Sequence, residues 1–181
     1  MAEDWDALIR EFAGVTVPAA KRLIALGPAA APAVPLLVPF LRDPLPLRRK
    51  LAINSLYAIG RASTPAVPAL VEALRDDTVS VREAAAETLG MLGAPAGVPG
   101  LIEALSTTDD ENRFLRRWAA WALGEIGPAA EPALPRLREC AARRDDGDLE
   151  RNAARAIRRI PRDVSARDTI ELPNGHTQPL W

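Results

Sequence analysis

From Thr64 to Gly93 the chain reads TPAVPALVEALRDDTVSVREAAAETLGMLG, two apolar stripes at helical spacing divided by a polar break. Val67, Leu70, Val71 and Leu74 stand at i, i+3, i+4 and i+7, one face of an amphipathic helix. Pro65 and Pro68 lie where a first helical turn tolerates a missing N–H. Asp76 and Asp77 end that stripe. Ser80 followed by Glu83 has capping-box spacing and predicts the start of a second helix. Val81, Ala85, Leu89 and Leu92 form the second stripe, and Gly93 is placed to close it in the left-handed conformation. Neither helix can bury its stripe alone, so the hairpin predicts neighbours.

The neighbours recur along the chain. Helix-ending glycines at 27, 60, 93 and 127 are spaced 33, 33 and 34 residues apart, and Ile160-Pro161 takes the fifth place. A fixed period of this length predicts stacked helical repeats. The second-helix columns agree: Leu23, Leu56, Leu89, Leu123 and Ile157 align, as do Ala19, Ala52, Ala85, Ala119 and Ala153. Alanine in one column admits close helix approach, and leucine in the other fills the core.

The spacing predicts helices over 4–12 and 18–26, then 32–41 and 47–59, with Pro39 kinking or shortening the third. In the fourth hairpin the turn after Gly93 is short and the loop Ser106–Phe114 is long. The fifth uses Leu134, Leu137 and Cys140, then Leu149, Ala153, Ile157 and Ile160. After Pro161 the helical period stops.

In VREAAAETLGMLG and RRWAAWALGEIG the sequence resembles HEAT-like repeats of the phycobilisome (bilin) lyase type, over residues 4–161. The expected fold is all-α, an α-solenoid of about five HEAT-like helical hairpins (1–161) with a non-helical C-terminal tail (162–181). The resemblance implies second helices lining a concave face and a function as a protein-binding scaffold, with a few members binding DNA or acting on bilins. It also implies that the column Arg49, Arg82 and Arg116 pairs with the loop aspartates Asp43, Asp76 and Asp109 or Asp110.

Composition narrows the function. Lys+Arg 23 against Asp+Glu 24 gives a net charge of −1, so nothing pulls the whole chain towards nucleic acid or anionic lipid. One cysteine excludes an internal disulfide framework. No secretory h-region or spanning run of about twenty apolar residues stands out, and the expected setting is cytoplasmic. No CxxC, HExxH or Walker-type loop occurs, and the single histidine, His176, is far in sequence from Cys140. Cys140 sits in a core-facing column with Phe40, Ala73 and Ala104, which predicts a buried, inert thiol. No catalytic residue, cofactor or metal is expected.

The outward columns of the second helices carry the candidate partner-binding residues. One column runs Val17, Lys50, Glu83, Arg117, Arg151; the other runs Lys21, Asn54, Glu87, Trp121, Arg155; Tyr57, Met91 and Glu125 lie nearby. Trp121 breaks its column as a large aromatic. It reads either as an interface anchor flanked by arginines or as a filler of space left by neighbouring alanines. Trp121 and Glu125, four apart, are loosely similar to the aromatic-plus-acid pairing of HEAT-like alkylpurine DNA glycosylases, but this chain is short and not basic. Arginines at 151, 155, 158, 159 and 162 stud the last repeat, either a solvated end face or an electropositive patch. Nucleic-acid binding there is the weakest of the three functional expectations.

The tail supplies the remaining alternative. Thr169–Leu172 is strand-like, Pro173-Asn174-Gly175 is a turn signal, and Leu180-Trp181 ends on apolar surface. His176, Leu180 and Trp181 are therefore a candidate docking motif, or part of a substrate for a peptide-modifying enzyme. The leading expectation is a non-enzymatic protein-binding adaptor centred on Trp121.

Overall fold

The computed structural model describes residues 3–14, 16–143 and 146–160, together with the backbone of 169–171 and 177–179. Five helical hairpins follow one another. The first arms are α1 (Trp5–Gly14), α3 (Val34–Leu37), α5 (Val67–Ala73), α7 (Val98–Leu105) and α9 (Leu134–Ala142). The second arms are α2 (Thr16–Leu26), α4 (Pro46–Ile59), α6 (Val79–Leu92), α8 (Arg113–Ile126) and α10 (Gly147–Arg159). Each second arm packs on the next, so these five helices form one continuous layer and the first arms the other.

The joints between hairpins follow from four glycines. Gly27, Gly60, Gly93 and Gly127 all have positive φ, between 53° and 78°, where a Cβ would be strained. Seven-residue 3-10 segments follow three of them, Gly27–Ala33, Gly60–Ala66 and Gly127–Ala133; after Gly93 only Pro95–Gly97 remains. The short connector predicted there is thus present. In the second hairpin, Pro35 and Pro39 leave just four α-helical residues before a 3-10 segment, Val38–Arg42.

The aligned columns are the seam of the core. Leu23, Leu56, Leu89 and Leu123 are fully buried, as are all five column alanines. Ile157 is half-buried: among the described residues no hairpin stacks on the far side of α10. Truncating one seam leucine, such as Leu89→Ala, leaves a cavity costing about 2–5 kcal/mol.

Two local expectations are corrected. Ser80 does not cap α6: Thr78 is the N-cap residue, its N–H donates to Asp76 Oδ1 at 2.8 Å, and the helix has begun before Ser80. The Arg49 column reaches forward as well as back. Arg49 Nη1 donates to the Asp43 carbonyl at 3.0 Å, while Nε and Nη2 grip Asp76 of the next hairpin at 2.6 and 2.7 Å. Arg82 repeats this with the Asp76 carbonyl at 2.6 Å and Asn112 Oδ1 at 2.7 Å. Arg116 binds carbonyls of its own loop, Thr107 and Asp109. All three hold carbonyls of their own loop, and the reach of Arg49 and Arg82 into the next loop also ties successive hairpins together.

Thr16–Arg42 has the length and apolar composition of a membrane span, which the sequence reading had not singled out. Only Lys21, Arg22 and Arg42 are charged in that run. The chain breaks within it at Gly27, and Ala19, Leu23, Ala33, Leu37 and Leu41 are buried in the seam. Beyond the last hairpin, the strands β1 (Thr169–Glu171) and β2 (Thr177–Pro179) pair antiparallel with Ile170 opposite Gln178.

Candidate functional site

Each second arm buries one side in the seam and leaves the other accessible, at the 3- and 4-residue spacings of a helix face. On α4 that face carries Leu47, Lys50, Asn54 and Tyr57; on α6, Glu83, Glu87 and Met91; on α8, Phe114, Arg117, Trp121 and Glu125; on α10, Arg151 and Arg155. Val17, Lys21, Leu47, Tyr57, Phe114, Arg151 and Arg155 are exposed, and Lys50, Asn54, Glu83, Glu87, Met91, Arg117, Trp121 and Glu125 are half-buried. The structure therefore brings the candidate residues of the body onto one layer. His176, Leu180 and Trp181 lie outside the described residues.

Trp121 satisfies parts of both readings. Its ring meets Trp118 edge-on at 5.6 Å and packs against the core, yet it is not sealed. Gly90 makes room for it: a Cβ there would lie 2.7 Å from Trp121 Cζ3 and 2.7 Å from Ala122 Cα. The indole thus rests on α6, one turn along from Glu87.

Several charged candidates are committed within the chain. Arg117 pairs with Asp146 at 2.8 Å and Asp148 at 3.0 Å and covers Phe114 at 5.1 Å. Burial pushes the Asp146 carboxyl up, but hydrogen bonds from Arg117 and the Leu149 amide, with the Arg117 charge, outweigh it and hold the group at about 2. The same carboxylate caps α10 through the Asp148 and Leu149 N–H groups. Arg151 pairs with Asp148, and Arg159 holds Glu125 with Nη2–Oε2 at 2.8 Å. Arg113 and Arg117 are thus taken up by Asp146 of the fifth hairpin, and Arg116 by loop carbonyls, as its place in the Arg49 column implies. Glu125, too, is not a free acid beside Trp121.

Glu83 and Glu87 are different. Burial raises the Glu83 carboxyl, with Lys50 and Arg82 opposing, and burial alone raises Glu87. Neither has an ion pair among the described residues, nor do Lys21, Arg155 and Arg158.

The sequence reading missed how much apolar surface this layer shows. Six large apolar side chains are exposed among the described residues, and five of them (Val17, Ile24, Leu47, Tyr57 and Phe114) stand on second arms. Extending the outward columns by one helical step would have found Ile24, Leu47 and Phe114. Elsewhere, a cleft of about 430 Å³ at the loops of the second and third hairpins is lined by Arg42, Arg49 and Arg75 with Glu72 and Asp76. Its arginines are already paired with acids. Cys140 is buried, which pushes its thiol up. No metal-ligand cluster forms among the described residues.

Two-layered stacking of glycine-jointed helical hairpins defines a helical repeat protein. The chain belongs to the HEAT-repeat family, whose model matches residues 16–89 and 67–158. Among solved structures, the complex of CpcE and CpcF of phycocyanin lyase from Nostoc sp. PCC7120 superposes with a TM-score of 0.72 at 24% identity, covering 88% of this chain and 66% of that one. An engineered protein matches with a TM-score of 0.67 at 22% identity over 86% of this chain and 78% of its own. Human deoxyhypusine hydroxylase in complex with glycerol matches at 30% identity and a TM-score of 0.55, covering 69% of this chain and 42% of the enzyme. The first two show the fold. A comparison with curated proteins finds no match.

Proposed function

We propose that the protein is a non-enzymatic scaffold that holds a partner protein against its second-helix layer. The observation that carries this reading is the placement of exposed apolar side chains. A repeat protein whose two layers were equally solvated would scatter them, whereas five of six occupy one layer here. Trp121 on α8, held against Trp118 and α6 and only half-buried, has the rigidity of an interface anchor. The Nostoc relative is a complex of two protein chains, which agrees with a protein partner.

The test is capture from native extract. Tyr57→Ala with Trp121→Ala is expected to abolish retention of the partner while the helical content by circular dichroism is kept. Retention unchanged by the double substitution would remove the second-helix layer from consideration.

A second reading rests on the C-terminal strand pair, in which residues 169–171 lie antiparallel to 177–179. In that reading the tail docks to, or is modified by, a peptide-modifying enzyme, and the solenoid is its carrier. Deleting 169–181 should then abolish partner retention without changing the melting temperature.

A further inference from the structure

Along the accessible columns of the second helices, the charges without an ion pair among the described residues fall in bands. Lys21 on α2 and Lys50 on α4 come first, Glu83 and Glu87 on α6 occupy the middle, and Arg155 and Arg158 on α10 close the far end. Between them α8 contributes no free charge, since Arg117 is held by Asp146 and Asp148 and Glu125 by Arg159. The order is therefore positive, negative, positive. A second copy cannot meet this face with good electrostatics. Turned end for end, it sets Lys21 against Arg155; stacked in the same sense, it sets each band against itself. In both cases Glu87 faces acid, so like charges oppose throughout.

Resting on the proposal that this layer is the binding face, we infer that its occupant is an extended segment of a partner protein. A basic side chain of that segment sits between Glu83 and Glu87, an apolar one lies towards Tyr57, and an acidic one lies towards Arg155 and Arg158. Glu87 provides the reason for the basic residue: it is half-buried with no cation opposite it, and Trp121 rests one turn away to cover an alkyl or guanidinium group. Asn54 provides the reason for an extended backbone. Its half-buried amide makes no hydrogen bond among the described residues, and an extended peptide backbone, unlike a helix whose N–H and C=O groups are already paired, offers it both a donor and an acceptor. Neighbouring helices stand about 8–10 Å apart. At about 3.3 Å per extended residue, the apolar anchor falls roughly three residues from the basic one. The acidic residue, two helix steps away, falls roughly five or six residues to the other side.

The test begins without bias, by selecting random twelve-residue peptides displayed on phage against the immobilised full chain. Selected peptides are then measured by fluorescence anisotropy on the wild type, on Glu83→Gln with Glu87→Gln, and on Tyr57→Ser with Trp121→Ser. Leu47→Ser, at an exposed position, serves as a second face variant should the aromatic pair disturb folding. The expected peptides carry the apolar–basic–acidic order, and the double glutamine variant binds them roughly tenfold or more weakly. Selected peptides lacking a basic residue, affinity unchanged in the glutamine variant, or no enrichment at all would overturn the inference. If such peptides still fail on the face variants, the binding face stands and only its charge code falls. If they bind the face variants as well as the wild type, the face itself falls.

Discussion

Gly90 and Ala122 meet backbone to backbone: a Cβ at Gly90 would stand 2.7 Å from the Ala122 Cα. At the next step a Cβ at Gly124 would stand 3.0 Å from the Ala156 Cα. These contacts set how closely α6, α8 and α10 pack and how the Trp121 ring seats.

Gly90→Ala should therefore destabilise the protein despite alanine's helix propensity. Relief of glycine's backbone freedom is worth about 1 kcal/mol, while overpacking against backbone costs about 1–3 kcal/mol. Thermal unfolding should show a larger drop for Gly90→Ala than for Gly124→Ala. Equal or raised melting temperatures would contradict the tight contact.

The inter-hairpin arginine links should differ by burial. Arg49 and Asp76 retain 10% and 8% of their side-chain exposure, whereas Arg42 and Glu72 retain 69% and 57%. Asp76→Ala strands a buried guanidinium and should cost about 3–5 kcal/mol in urea denaturation. Arg42→Ala should cost under about 1 kcal/mol.

Asp146 predicts an acid limb. Its carboxyl titrates at about 2 in the folded chain against 3.8 unfolded, so the unfolded state takes up the proton first. The stabilisation, about 2 kcal/mol, is full above pH ~4 and fades as pH falls towards ~2. Asp146→Asn should lower stability at neutral pH and flatten the profile in that window, read by tryptophan fluorescence.

Glu87 predicts the opposite sign. Its carboxyl is raised on folding, so ionisation at neutral pH works against the folded chain, and the penalty grows as pH rises through its unfolded value. Glu87→Gln should raise the melting temperature slightly at pH 7 while weakening peptide binding. A residue kept at a cost to stability and needed for binding is the mark of a functional position.

Cys140, buried in α9, should react with a thiol reagent only as the chain unfolds. Labelling at the rate of an exposed thiol under native conditions would contradict its place in the core.

Most of the fold was legible in the residues. The glycine period placed the joints, the leucine and alanine columns placed the seam, and Pro39 announced the shortened third helix, because each depends on local backbone preference and a repeated spacing. The outward columns named the second-helix layer for the same reason. The Ser80 capping box failed because the helix starts two residues earlier: the Val81 and Arg82 N–H groups already donate to the Thr78 carbonyl, which puts Ser80 inside the first turn.

What the sequence by itself determined is periodic: which residues share a helix face, and which faces must be buried. Only the tertiary structure decided which charges are free. Arg117, Arg151 and Glu125 look as available in the sequence as Glu87 and Arg155, yet hairpins a full repeat away supply partners to Arg117 and Glu125 and none to Glu87. Pairing of that kind depends on the distance between stacked helices, a quantity that local spacing does not contain.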